Sequence, residues 1–229
     1  MIEFLTALGV FLFSHTIPAR SSLRQRLTAA MGERWYLLLY SMLSIALLVW
    51  LISAALRAPF VPLWNLAPWQ YGVPIALMLP ASMLLMGGLF APNPLSISLS
   101  RASFDPARPG LVGITRHPLP WAFALWSFAH LFPNGDLVSV ILFGGLTLFS
   151  LAGMELLDRR KRQAIGDNWP GLAAQTSIIP FAALATGRAS ACWSTGALLK
   201  TIAGGVALYL VLIRLHPILI GVDPLAGLG

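Results

Sequence analysis

Charge is scarce in this chain. Of its 229 residues, 10% are Asp, Glu, Lys or Arg, against about a quarter in a soluble domain. That is too little to keep a globular surface wet. Acids are scarcer still, with eight against fifteen Lys and Arg. Cysteine is nearly absent, and Cys192 alone excludes an internal disulfide framework and any multi-cysteine metal site. There is no carboxylate pair, no Cys/His cluster, no Ser-His-Asp spacing and no internal repeat. These absences exclude an ordinary soluble protein, a disordered chain and a nucleic-acid reader. The formal net charge of +7 therefore reads first as membrane topology, because Lys and Arg set the orientation of membrane helices.

What the chain has in abundance is apolar: 57% of it is hydrophobic. Six stretches stand out, at 2–17, 35–56, 71–90, 118–132, 137–157 and 197–221. A span needs about 20 residues, so the first and fourth are short and must borrow from their flanks or tilt. The first begins with Glu3 rather than a basic region and is followed by arginines, so it reads as a retained span and not a signal peptide. The expected fold is all-α, a polytopic membrane helix bundle of about six transmembrane helices, forming a single integral membrane domain over 1–229.

The loops predict the orientation. Segment 18–34 carries Arg20, Arg24, Arg26 and Arg34; segment 91–117 carries Arg101, Arg108 and Arg116; segment 158–196 carries Arg159, Arg160, Lys161, Arg162 and Arg188. The alternate loops carry Arg57 alone, and Lys200 and Arg214 lie in the last span. By the positive-inside bias, 91–117 and 158–196 are cytoplasmic loops and both termini, Gly229 included, face outside. Asn134-Gly135-Asp136 predicts a tight turn between spans four and five, with Asp136 capping the fifth helix. Ala91-Pro92-Asn93-Pro94 ends the third span, Pro74 and Pro80 are expected to kink it, and Gly204-Gly205 invites close helix approach in the last.

An ionisable group inside a span is a functional hypothesis by default. All four histidines, His15, His117, His130 and His216, lie in or at the edge of spans, while Glu3 and Glu155 are the main acids there. Histidines without acids suit an axially ligated porphyrin better than a hard cation. At helical spacing His130 shares a face with Phe123, Trp126 and Ser127, a wall for a flat apolar cofactor or simply bundle core. His117, between Arg116 and Pro118, is either a head-group contact or part of a second, cytoplasmic site. Arg214, near His216, either neutralises an anionic tail or snorkels outward.

Several blocks carry a family resemblance. They are Phe13-Ser14-His15-Thr16-Ile17-Pro18-Ala19-Arg20, Gly32-Glu33-Arg34-Trp35-Tyr36, Leu39-Tyr40-Ser41 and Thr115-Arg116-His117-Pro118. Further on come Leu125-Trp126-Ser127-Phe128-Ala129-His130-Leu131, Asn134-Gly135-Asp136-Leu137, Asp158-Arg159-Arg160-Lys161 and Leu215-His216-Pro217. Together they resemble the NnrU family almost end to end. That family is similar to the plastid 15-cis-zeta-carotene isomerase, a haem b membrane protein that turns a central cis double bond to trans. The resemblance implies haem b, an apolar small-molecule substrate in a lipid environment, the bacterial cytoplasmic (inner) membrane, and a link to denitrification and nitric oxide metabolism. It also implies that His15 and His130 are the haem ligands. A cysteine that can take over ligation in the isomerase matches Ser127, and serine supplies no thiolate.

Depth points to a different partner for His130. His15 lies about 8 Å inside the cytoplasmic boundary at Arg20, and His130 about 6 Å from the turn at Asn134 on the other side. Across a core of about 30 Å these depths differ, whereas His216 matches His130. His15 and His216 therefore stand as competing partners. The second half also resembles, more faintly, isoprenylcysteine-type membrane methyltransferases, through Arg116-His117-Pro118, Glu155, Gly166 to Trp169 and Ser177-Ile178-Ile179-Pro180-Phe181. In that alternative His117 helps cradle S-adenosylmethionine, although Glu155-Leu156-Leu157-Asp158 stands where the paired glutamates belong. A non-catalytic assembly or regulatory role is the third reading.

Overall fold

Proline and glycine decide where the helices of this chain start and stop. In the computed structural model, which describes residues 1–20, 23–190 and 192–227, the long elements are α1 (Ile2–Arg20), α2 (Leu23–Met31), α3 (Glu33–Leu56) and α4 (Pro68–Phe90). They are followed by α5 (Leu111–Ile114), α6 (Pro118–Leu131), α7 (Leu137–Ile165), α8 (Trp169–Ala174), α9 (Ala182–Ala185) and α10 (Thr195–Leu219). Among the described residues there is no strand beyond an isolated bridge between Pro62 and Asp136. Four segments are long and apolar enough to cross a membrane: α3, α4, Leu137–Ala174 and α10. The other two expected spans are helices too, but α6 has 14 residues, about 21 Å at 1.5 Å per residue. Gly229 lies outside the described residues.

The chain packs as two units. The first comprises Met1–Trp64 and Gly135–Leu142. Its core is Phe4, Ala7 and Leu8 of α1 against Leu51 and Ala54 of α3, with Val138 from the start of α7. Gly32, at φ +81°, makes the break between α2 and α3 that a side chain would strain. Glu3 pairs with Arg57 at 2.6 Å and also accepts from the Trp50 indole at 3.4 Å. An acid at the edge of an apolar helix thus has a cation for a partner. Asp136 caps α7 as expected, accepting from the Ser139 amide at 3.0 Å. A side chain at Gly135 would lie 2.5 Å from the Trp64 carbonyl, so only glycine fits there.

The second unit comprises Asn65–Asn134 and Phe143–Gly229. Here α4 packs against both α6 and α10. Without a hydrophobic drive between helices in lipid, such contacts rest on small residues that let backbones meet. A Cβ at Gly205 would lie 2.6–2.9 Å from Met83, and one at Gly88 would lie 3.1 Å from Pro118 and the Leu119 backbone. The expectation for Gly204-Gly205 is met at this contact. Pro74 and Pro80 both lie inside the continuous α4, which ends at Phe90, before Pro92. Helix α6 runs antiparallel to α7, with Leu131 against Gly144, Ser127 bonded to Thr147 at 2.8 Å, and His117 bonded to Asp158.

Candidate functional site

Near the C-terminal end of α6 and the C-terminal end of α10, two half-buried histidines come together. The rings of His130 and His216 have centroids 6.5 Å apart and planes within 26° of each other. His130 Nδ1 lies 2.7 Å from the Trp126 carbonyl, one helical turn back. His216 Nδ1 lies 2.7 Å from the Val222 carbonyl, which the end of α10 at Leu219 and the turn at Gly221 bring back toward the helix. A carbonyl can only accept, so both Nδ1 atoms carry the proton. In the neutral ring this leaves each Nε2 as a lone-pair donor, the tautomer that metal-ligating histidines use. Neither Nε2 has a hydrogen-bond partner among the described residues.

The walls of this site are aromatic. Trp126 and Phe143 lie 5.5 and 5.3 Å from the His130 ring, and they also meet each other edge to face. The expected wall therefore needs revising in one member. Phe123 is half exposed and makes no ring contact with His130 among the described residues, while Phe143 of α7 does. Periodicity within α6 could name Trp126 but could not name a residue on the next helix. Ser127 is fully buried and ties α6 to α7 through Thr147. Its hydroxyl also returns to the Phe123 carbonyl at 2.8 Å. Arg214 is exposed on α10. His15 lies in the first unit, with Nδ1 2.7 Å from the Phe11 carbonyl and its ring against Phe11 and Tyr40. Among the described residues no three His, Cys, Asp or Glu side chains converge as a metal cage.

A second polar cluster forms where α6 begins. His117 is fully buried, with Nδ1 2.9 Å from the Ser96 hydroxyl and Nε2 2.7 Å from Asp158 Oδ1. Arg116 is buried beside it. Its guanidinium bonds Asp158 Oδ2, the Thr176 hydroxyl at 2.9 Å and the Ala173 carbonyl at 2.9 Å, and stacks over Trp169 at 5.3 Å. The backbone joins in: Asn93 donates to the Arg116 carbonyl, and the Arg116 amide donates to the Ser177 carbonyl at 2.8 Å. Thr115 and Trp121 both donate to the Ile178 carbonyl.

Serine, imidazole and carboxylate thus stand in series, an arrangement that linear spacing does not reveal. Ser96 and Asp158 are nevertheless almost as buried as His117, and Asp158 is shared with a guanidinium. The group is satisfied internally and acts as a clamp between segments 91–117 and 158–181. His117 presents no exposed atom to a lipid head group, and both ring nitrogens are occupied, so it offers nothing to S-adenosylmethionine either. Glu155 lies outside the cluster and pairs with Arg159 at 3.1 Å. Sequence reasoning missed Ser96 and Thr176, while Trp169 and Asp158 appeared there only within resemblance motifs, with no link to Arg116 or His117. The available signal was a lone acid closing an apolar run, opposite an Arg-His pair entering another.

Over 79 residues, 34% of this chain, the sequence is 35% identical to 15-cis-zeta-carotene isomerase, chloroplastic, of Arabidopsis thaliana. It is 37% identical over the same length to the protein of that name from Zea mays. The chain spans 22% of the length of each of these relatives. No solved structure matches it. The family model described as NnrU protein matches residues 3–224, from the first helix to beyond the last, and the chain belongs to the NnrU family.

Proposed function

We propose that this chain is a haem b protein of the bacterial cytoplasmic membrane, with redox or cis-trans isomerase chemistry on an apolar substrate and, by family resemblance, a link to nitrogen-oxide metabolism. The observation that carries this reading is the His130–His216 pair: two imidazoles on different helices, each with Nδ1 engaged and Nε2 without a hydrogen-bond partner among the described residues, 6.5 Å between ring centres. Two metal–imidazole bonds of about 2 Å each, added to the reach from ring centre to Nε2, give a separation of this size. Two imidazoles with unengaged Nε2 atoms are donors of the kind that would hold a haem iron. When bound, haem supplies a redox-active iron and a flat conjugated face.

The protein's own contribution is placement and exclusion of water. The Trp126 and Val222 carbonyls hold the two rings in the ligating tautomer. Trp126 and Phe143 line the His130 side with apolar surface, which suits a flat macrocycle and a long hydrocarbon alike. The name of the plant relatives supports a polyene substrate class. An absorption spectrum of detergent-purified protein, expressed with ample haem, tests the reading. A Soret band that shifts on reduction is expected, and a colourless protein would refute it.

The orientation belongs to the same proposal: six helices cross the bilayer, with the basic segments 91–117 and 158–196 on the cytoplasmic side. A reporter active only in the cytoplasm should be silent when fused after Gly229 and active when inserted in 158–196. The opposite pattern would overturn the topology.

A further inference from the structure

The C-terminal end of α4, the N-terminal end of α10 and segment 100–110 line an open-sided cleft of about 830 Å³, all within the second unit. It is separate from the histidine pair: Lys200 and His216 are sixteen residues apart on α10, about 24 Å along the helix. Its ligand chemistry is therefore independent of haem.

The lining divides along the helix axes. Met86, Phe90, Ala203 and Gly204 form an apolar half between the two helices. Ser103, Asp105, Arg108 and Lys200 form a polar half where the helices end. Asp105 is already paired with Arg108 at 3.0 Å, and that hydrogen bond holds its carboxyl below the usual aspartate range, so it stays ionised. Lys200 has no carboxylate partner among the described residues. The polar half therefore carries one net positive charge, at the level where two apolar helices leave the bilayer.

A wholly polar anion would leave the apolar half unfilled, and a neutral hydrocarbon would make no use of the exposed Lys200 ammonium at the rim of the cleft. We propose that this cleft binds one anionic phospholipid of single net charge, with its chains against Met86, Phe90, Ala203 and Gly204 and its phosphate drawn by Lys200 and Arg108. The volume lies within the range of built small-molecule sites, about 300–1,000 Å³, enough for a head group and the upper part of the chains.

Delipidated full-length protein in detergent, titrated with phosphatidylglycerol or phosphatidylcholine of the same chain length and read by native mass spectrometry, tests this. One lipid should bind with about a five-fold preference for phosphatidylglycerol, the effect of one charge near a membrane surface. Lys200→Gln should erase the preference. Ala203→Trp, at an exposed wall position, should weaken both lipids by filling the apolar half. Equal affinities for the two lipids in the unaltered protein would overturn the proposal without recourse to any variant. So would a Lys200→Gln protein that retains the preference. If millimolar inorganic phosphate displaces the lipid and Ala203→Trp leaves binding intact, the site takes a free anion and the proposal fails.

Discussion

Replacing His130 with alanine is expected to strip most of the haem from the purified protein, or to distort its Soret band beyond recognition. His130 is the residue on which the family resemblance and the geometry agree, and its Nε2 is a free lone-pair donor in an aromatic setting. His216→Ala should change the spectrum as well, by removing the facing imidazole 6.5 Å away. His15→Ala should leave it as in the unaltered protein. The three variants separate two ligand pairs. If His15→Ala destroys the band and His216→Ala spares it, the pair implied by resemblance is the right one. Ser127→Ala is the control. Loss of the Thr147 hydrogen bond should cost about 1 kcal/mol of stability and leave the spectrum in place, because a serine hydroxyl is a poor iron ligand. Should all three histidine variants keep an unchanged spectrum, none of these three histidines ligates haem here.

The second large effect is expected at the opposite end of α6. Asp158→Ala leaves the buried Arg116 guanidinium without its carboxylate and His117 Nε2 without its acceptor. Removing one partner of a buried ion pair costs about 3–5 kcal/mol, since the remaining charge stays in low dielectric uncompensated. For a chain of this size that corresponds to a fall of about 10 °C in the thermal transition. Proteolysis should also increase in segments 91–117 and 158–181, which the cluster ties together. The triple replacement Arg116→Met, His117→Phe, Asp158→Leu should recover much of the loss, because a buried ion pair exchanged for packed apolar groups is often neutral. A single Asp158→Ala protein that melts within a degree or two of the original would show that the cluster contributes little to stability.

Much of the fold was legible because the bilayer constrains it so strongly. Backbone groups in lipid must be satisfied within the segment, so long apolar runs become helices, and α3, α4, α7 and α10 follow from their composition. The punctuation was local and equally readable. Pro92 follows a helix that ends at Phe90, Asp136 caps its helix through its own side chain, and Gly205 lies against Met83 because nothing larger fits. The four histidines stood out for the same reason, as polar groups where lipid should be.

Pairing was another matter. By itself the sequence determined that this is a helical membrane protein, where most helices begin and end, and which few polar side chains its apolar segments carry. It also reached His216 as a match for His130, through depth, because rise per residue is a one-dimensional quantity. Only the tertiary structure decided that Phe143 and not Phe123 lies against the His130 ring, and that His117 faces inward between Ser96 and Asp158 instead of toward lipid. Those outcomes depend on the rotation of each helix about its axis and on which neighbour fills the facing groove. With apolar residues on nearly every face of α6, periodicity singles out no inner side. What settles the rotation is contact with α4 and α7, made by residues distant in the chain.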